Sequence, residues 1–213
     1  MSKKKLGRPK ANVTRDLRND LLKTSRDLLN EGGPAAISMR EVARRSNCTH
    51  QAPYHYFEDR ETILATLVTE GFTELARLLA EANDLAATEN VRSALVASGA
   101  AYIEFALSQP GVFRIMFRPD VCNPLRFPAV QEAGARAREV LERLNVIVYG
   151  KKASPAFATI LWSHVHGLSC LMIDGPLGMR FENTTEKELL LRDVGEKFAD
   201  LMLKPIGGQS LKI

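Results

Sequence analysis

The stretch SMREVARRSNCTHQAPYHYF, Ser38 to Phe57, decides the fold of this chain. It reads as two short helices around a tight turn. Ser38 opens a capping box: its hydroxyl accepts from the backbone N–H three residues on, and Glu41 reaches back to the N–H of Ser38. Val42 and Ala43 supply an apolar face, while Arg44 and Arg45 stay in water. Ser46-Asn47-Cys48-Thr49 interrupts the helix, because Asn tolerates the left-handed backbone that ends helices and Thr caps the next one. The second helix then carries His50, Gln51, Tyr54 and His55, with Ala52 and Phe57 available for packing. This is helix-turn-helix geometry, in which the second helix enters the DNA major groove.

An ordinary helical hairpin with one polar face shares this pattern. What separates the two is the kind of polar residue. A merely solvated face carries Glu and Lys, whereas this one carries His, Gln and Tyr. Gln at a helix N-terminus can read adenine N6 and N7 together, and Tyr or Thr hydroxyls suit phosphates.

From about Val13 to Phe72 the sequence resembles the DNA-binding domain of TetR-family transcriptional regulators. The residues that carry the resemblance are the capped helix Ser38–Arg45, then Thr49, Tyr54, Tyr56 and Phe57 at the family's spacing, then Asp59-Arg60-Glu61-Thr62 opening a long helix. Three positions depart from the family pattern: Asn47 where Gly is common, Cys48 where Val is usual, and Pro53 where Leu or Ile is common. The first two are conservative in conformation and size. Pro53, one turn into its helix, is expected to remove at most one backbone bond, leaving only the tilt of that helix open. The resemblance implies that His50 and Gln51 face base edges, and that Ser38, Arg40, Thr49, Tyr54, Tyr56 and Arg60 hold phosphates.

Charge is distributed as such a protein requires. Of 213 residues, 45% are apolar, enough to fill a real core, and the net charge is +4. Residues 1–60 hold 13 Lys+Arg against 7 Asp+Glu, a net +6, and the remainder is net −2. A basic reader on a slightly acidic body follows from that split. Residues 1–12 form a basic arm whose Lys5, Arg8 and Lys10 surround Gly-Arg-Pro and can enter a minor groove, or serve only as a solvated tail. Three widely spaced cysteines, Cys48, Cys122 and Cys170, make no disulfide framework and suit a reducing cytoplasm. The N-terminus reads as no signal peptide. The apolar run 156–173 is interrupted by Trp162, Ser163, His164 and His166, so no membrane span is expected.

The remaining pattern is helical throughout. Leu17, Leu21, Leu22, Ser25, Leu28 and Leu29 form one stripe over residues 14–31, ended by Gly32-Gly33-Pro34. Glu58-Asp59 cap a long linking helix to about Asn83. Further helices follow over 91–108, 111–117, 129–149, 154–173 and 185–203, the last opened by a capping box at Thr185-Glu186-Lys187-Glu188. A proline-rich loop, residues 118–128, interrupts them, and residues 205–213 read as a flexible tail. The expected fold class is all-α, about nine helices: a helix-turn-helix DNA-binding domain over 13–73 and a ligand-binding and dimerisation bundle over 90–204.

In the C-terminal half, Trp162-x-x-x-His166-Gly167 resembles the Trp-His-Gly motif of one subtype of TetR regulatory domain. Trp162, His166 and Cys170 share one helical face. A zinc site drawn from His164, His166, Cys122 and Cys170 lacks the close ligand spacing of structural sites, so neither metal nor cofactor is expected. His166 reads as a hydrogen-bonded core or pocket histidine. No nucleophile elbow, phosphate-binding loop or dinucleotide fingerprint is present, so the protein is not expected to be an enzyme. Tyr102, Phe105, Met116, Phe117, Phe127, Trp162 and His166 are the candidate effector pocket. The last two helices carry more apolar residues than one core can absorb, with Leu190, Val194, Phe198, Leu201 and Met202 in a stripe. Ser163 and Gly167 would let a partner helix approach, so a two-fold homodimer is expected.

These readings converge on a cytoplasmic transcriptional regulator of palindromic double-stranded DNA, a repressor released by a small apolar or aromatic effector. The competing expectation is a non-specific architectural DNA binder whose C-terminal domain only dimerises.

Overall fold

The computed structural model describes residues 16–87, 90–181 and 183–204, and among them the fold is helical with no strand. The basic arm with Lys5, Arg8 and Lys10, and the tail 205–213, lie outside the described residues. Eight α-helices follow in order: α1 (Leu17–Gly32), α2 (Met39–Arg45), α3 (Arg60–Ala87), α4 (Val91–Ser108), α5 (Pro110–Met116), α6 (Pro128–Tyr149), α7 (Pro155–Ile173) and α8 (Thr184–Leu203). The chain divides into two compact units, residues 1–63 and 64–213, with the division falling inside α3.

The first unit is built on the leucine stripe of α1. Leu21, Leu22, Leu28 and Leu29 are buried, as are Ile37, Met39, Val42, Ala43 and Phe57. Asp16 caps α1 through the N–H of Asn19, and Ser38 caps α2 through the N–H of Glu41 at 3.1 Å. Only half of the expected capping box forms. Both carboxylate oxygens of Glu41 are taken by Arg44 and Arg45 instead of the backbone of Ser38. Three charge-assisted bonds outcompete one neutral N–H donor.

The largest departure from the sequence reading lies after the turn. Asn47 ends α2 with φ of 49°, the left-handed geometry that Gly or Asn supplies most easily. The expected second α-helix, however, is a turn at Thr49–Gln51 followed by a single turn of 3-10 helix, Ala52–His55. Its backbone bonds run Ala52 to Thr49, Tyr54 to Gln51 and Tyr56 to Pro53, each spanning three residues. Pro53 explains this. It lacks the N–H that would close the first α-helical bond onto Thr49, and its ring crowds that same carbonyl. Thr49 makes no side-chain cap, and with this segment as a 3-10 turn eight α-helices stand among the described residues, in line with the expected all-α fold of about nine.

In the second unit α4 is central, packing on α5, α6, α7 and α8. One core cluster joins Ala94 and Leu95 to Leu144, Leu161 and Ala199; another joins Ile103 to Leu168 and Met172. Arg92 bridges Glu196 and Asp200, fixing the start of α4 to the end of α8. Asn90 caps α4, and Ser154 caps α7 with Pro155 at its first position. The cap of α8 is Asn183, which accepts from the N–H of Glu186 at 2.7 Å, so the helix starts before the expected box at Thr185. Asn is the stronger cap of the two, which accounts for the shift. By length and composition α7 alone among the described helices could cross a membrane, but it packs on α4 and α6 and carries Trp162, His164 and His166 at its middle.

Candidate functional site

In the first unit, burial separates the helix-turn-helix cleanly into two faces. Ala52, Pro53 and Phe57 turn inward, while Ser38, Arg40, Thr49, His50, Gln51, Tyr54 and Tyr56 are exposed. Tyr54 and Tyr56 are 54% and 45% exposed, unusual for side chains of that area. Among the described residues, the side chains of Arg40, His50, Gln51, Tyr54 and Tyr56 make no hydrogen bond or ion pair. This face therefore presents unsatisfied donors, acceptors and rings that the fold itself does not use. It has the chemistry to meet phosphates and base edges.

Arg60 is placed differently. Its Nε donates to the carbonyl of Ile37 at 2.9 Å and its Nη2 to that of Pro34 at 2.5 Å. The guanidinium thus closes the segment before α2 onto the first turn of α3 instead of standing free at the surface. The fork of donors on Arg suits two carbonyls three residues apart. Nothing in the sequence pattern signalled that engagement. Where α2 ends, Ser46 donates to Thr24 at 2.8 Å, and Arg45 reaches Glu31 at 2.6 Å, tying the start of the turn to α1. Arg44 and Arg45 hold the Glu41 carboxyl down at about 2.

The second unit carries an open-sided cavity of about 1140 Å³, larger than most drug-sized sites. Tyr102, Met116, Phe117 and Trp162 line it, together with Phe72, Leu75 and Leu79 of α3 and Cys122 of the proline-rich loop. Phe105 is 1% exposed and fills the core behind it, and Phe127 lies beneath Arg126 at 5.1 Å. His166 does not line the cavity but acts on a residue that does. Its Nδ1 stands 2.9 Å from the Tyr102 hydroxyl, which also accepts from the Trp162 indole at 3.2 Å. Trp162 and His166, one turn apart on α7, thus converge on a single hydroxyl from α4. Rings of Phe113 and Phe117 pack on the His166 ring at 5.2 and 4.7 Å.

The structure also places a glycine where sequence reading saw only part of an apolar helix. A Cβ on Gly71 would lie 2.8 Å from both Met116 Sδ and Val112 Cγ1, so glycine is what lets α5 close on α3. A glycine inside a long helix was the available signal. Gly167 has nothing within 4 Å of its missing Cβ. Among the described residues, no three potential metal ligands gather.

Two sequence profiles match this chain: "Bacterial regulatory proteins, tetR family" over residues 21–67, and "Tetracyclin repressor-like, C-terminal domain" over residues 95–194. A DNA-binding regulator is the class they define. The chain belongs to the TetR family of transcriptional regulators. Among solved structures it is similar to a protein with unknown function from Rhodococcus sp. RHA1, at 23% identity over 90% of this chain and 96% of that one, with a TM-score of 0.72. It is also similar to the fatty acid degradation regulator FadR from Bacillus halodurans, at 9% identity over 93% and 100%, TM-score 0.69. The TetR-family regulator PfmR from Thermus thermophilus is similar too, at 18% identity over 88% and 99%, TM-score 0.63. At these identities the likeness is one of fold. No curated protein matches the sequence.

Proposed function

We propose that this protein is a cytoplasmic repressor that binds a palindromic operator as a two-fold dimer and is released by a small apolar or aromatic effector. The observation that carries the reading is the apolar cavity whose wall includes Phe72, Leu75 and Leu79, on the same continuous helix whose first residue, Arg60, holds the segment before α2. A ligand releases DNA only by binding one conformation better than the other. Filling that cavity displaces α3, and two readers must meet half-sites roughly 34–36 Å apart. A small change in the angle of α3 spoils the spacing.

His50 and Gln51 are proposed to meet base edges, and Ser38, Arg40, Thr49, Tyr54 and Tyr56 to meet the backbone. The arm at Lys5, Arg8 and Lys10 is proposed to follow the minor groove beside them. The dimer is proposed to form through α7 and α8, and the Trp-His-Gly subtype is consistent with the shared hydroxyl of Tyr102.

The test is selection from random duplexes followed by footprinting, with wild type and Gln51→Ala. One palindromic site for wild type, and relaxed preference at a symmetric pair of positions for the variant at a cost of about 1–3 kcal/mol, is the expected result. Uniform protection without a preferred site would favour the architectural reading instead.

A further inference from the structure

Charged side chains around the main cavity are distributed unevenly. Where α4 and α8 line it, Glu104 and Glu188 stand with Lys187 and Arg192, two charges of each sign. The walls from α3, α5 and the proline-rich loop carry no charge at all, and α6 contributes only one charged residue, Arg138. Arg136 and Arg143 on the same helix pair with Glu132 and Asp84, at 3.8 and 2.6 Å. Arg138 makes no ion pair or hydrogen bond among the described residues, not even with Glu142 one turn further on. With Leu141 and Trp162, it also lines an adjoining cavity of about 540 Å³. The adjoining cavity also has Glu142 in its wall and the main cavity does not, so on the main-cavity side Arg138 is the one unbalanced charge. Ser98, buried on α4, adds a hydroxyl to the main cavity, and that hydroxyl too has no partner among the described residues.

Resting on the reading of this cavity as the effector site, we infer that the effector is an amphipathic anion. Its apolar body lies against Phe72, Met116 and Phe117, and its carboxylate pairs with Arg138. The guanidinium fork matches a carboxylate with two parallel bonds, a geometry that an alcohol or ester cannot return. The cavity volume leaves room for a medium-length acyl chain or a fused-ring body. Ser98 can serve a second polar atom part-way along it.

The test uses the full chain and isothermal calorimetry with two matched pairs of probes: decanoate with 1-decanol, and 1-naphthylacetate with 2-(1-naphthyl)ethanol. In at least one pair the acid is expected to bind about tenfold tighter than its alcohol, as a charge-assisted bond at an exposed guanidinium allows. Arg138→Gln should bring acid and alcohol within about twofold while leaving the alcohol's affinity in place, and Arg138→Lys should keep part of the preference. Equal binding of acid and alcohol by wild type overturns the anionic head but leaves the cavity as the effector site. A preference that persists in Arg138→Gln overturns the role of Arg138. If none of the four probes binds, the cavity is not a site for such amphiphiles, and both readings fall.

Discussion

The hydroxyl of Tyr102 stands 2.9 Å from Nδ1 of His166 and accepts the indole N–H of Trp162 at 3.2 Å. Accepting from Trp162 leaves the hydroxyl's own proton able to go to His166 Nδ1, a pairing that suits the neutral ring with its proton on Nε2. Burial favours the same state. It pushes the Tyr102 phenol well above its ordinary range and pulls His166 below its own. Substituting Tyr102→Phe leaves the Trp162 N–H and the His166 nitrogen without a partner. The expected loss is about 1–3 kcal/mol of unfolding free energy, measured by denaturant titration. Trp162 is the only tryptophan, so its emission should shift in the same variant. An unchanged midpoint and spectrum would mean that the shared hydroxyl holds nothing together.

The histidines set a pH dependence whose sign is fixed. Desolvation lowers both His164 and His166 from 6.5, so as pH falls the unfolded chain takes up protons first. Stability is therefore full above 6.5 and declines below it, until the folded values are passed. Glu41 behaves differently, because its carboxyl is held at about 2 and its contribution is lost only between 4.5 and that value. Comparing pH 7.5 with pH 5.5 isolates the histidines. His166→Gln should flatten the slope across that window; a slope that is unchanged would assign it to other groups.

Much of this site was legible in the sequence, for identifiable reasons. Caps and left-handed positions are local, so Ser38, Asn47 and Ser154 do what their residue types prefer. The exposure of His50, Gln51, Tyr54 and Tyr56 followed from which neighbours were apolar. The 3-10 turn at Ala52–His55 was harder, because whether one missing bond ends an α-helix depends on how few bonds remain, and here the helix had only one turn to lose. Cavity walls were less legible still. Helical period marks Phe105 and Phe117 alike as inward-facing, but only the spacing between helices decides that Phe105 fills core and Phe117 borders space. Arg138 and Gly71 lay outside the sequence reading for that reason, since each acquires meaning only from the helix opposite.

Gly71 offers a direct probe of the contact between α3 and α5. Gly71→Val places methyl groups where Met116 Sδ and Val112 Cγ1 already stand, 2.8 Å from even a bare Cβ. Overpacking of this kind costs about 1–3 kcal/mol. Because α5 ends at Met116, on the cavity wall, the same variant should weaken effector binding measured by calorimetry. Gly71→Ala gives a graded version, since the clash falls partly on the flexible thioether of Met116, and a variant as stable as wild type would show that α5 can move away without cost.

Arg60→Ala tests the clamp on the segment before α2. Two carbonyls, of Pro34 and Ile37, lose their charged donor, and both bonds are partly buried. A destabilisation of about 1.5–3 kcal/mol is expected, with faster amide exchange over α2. Lysine cannot reach two carbonyls with one planar fork, so Arg60→Lys should recover little of it. Loss of DNA affinity without any loss of stability would instead place Arg60 at a phosphate.

Gly167 gives the cleanest test of the proposed dimer. Helix α7 leaves Ile160 and Leu171 exposed at 46% and 45% on the side that carries Gly167, and α8 buries only Ala199 within the chain. An apolar face of that extent on two adjacent helices calls for a covering surface, and a second copy supplies the same face by symmetry. On that face Gly167 has open space around its missing Cβ, so a side chain there meets nothing in its own chain. Gly167→Ala should stabilise α7, because glycine costs about 1 kcal/mol against alanine inside a helix. Gly167→Arg should keep the helical content but drive a partner helix away. Sedimentation at micromolar concentration should then find wild type dimeric and Gly167→Arg monomeric, with operator binding lost because two half-sites can no longer be met together. A wild-type monomer, or a Gly167→Arg dimer that still binds its operator, would show that the copies do not meet across this face.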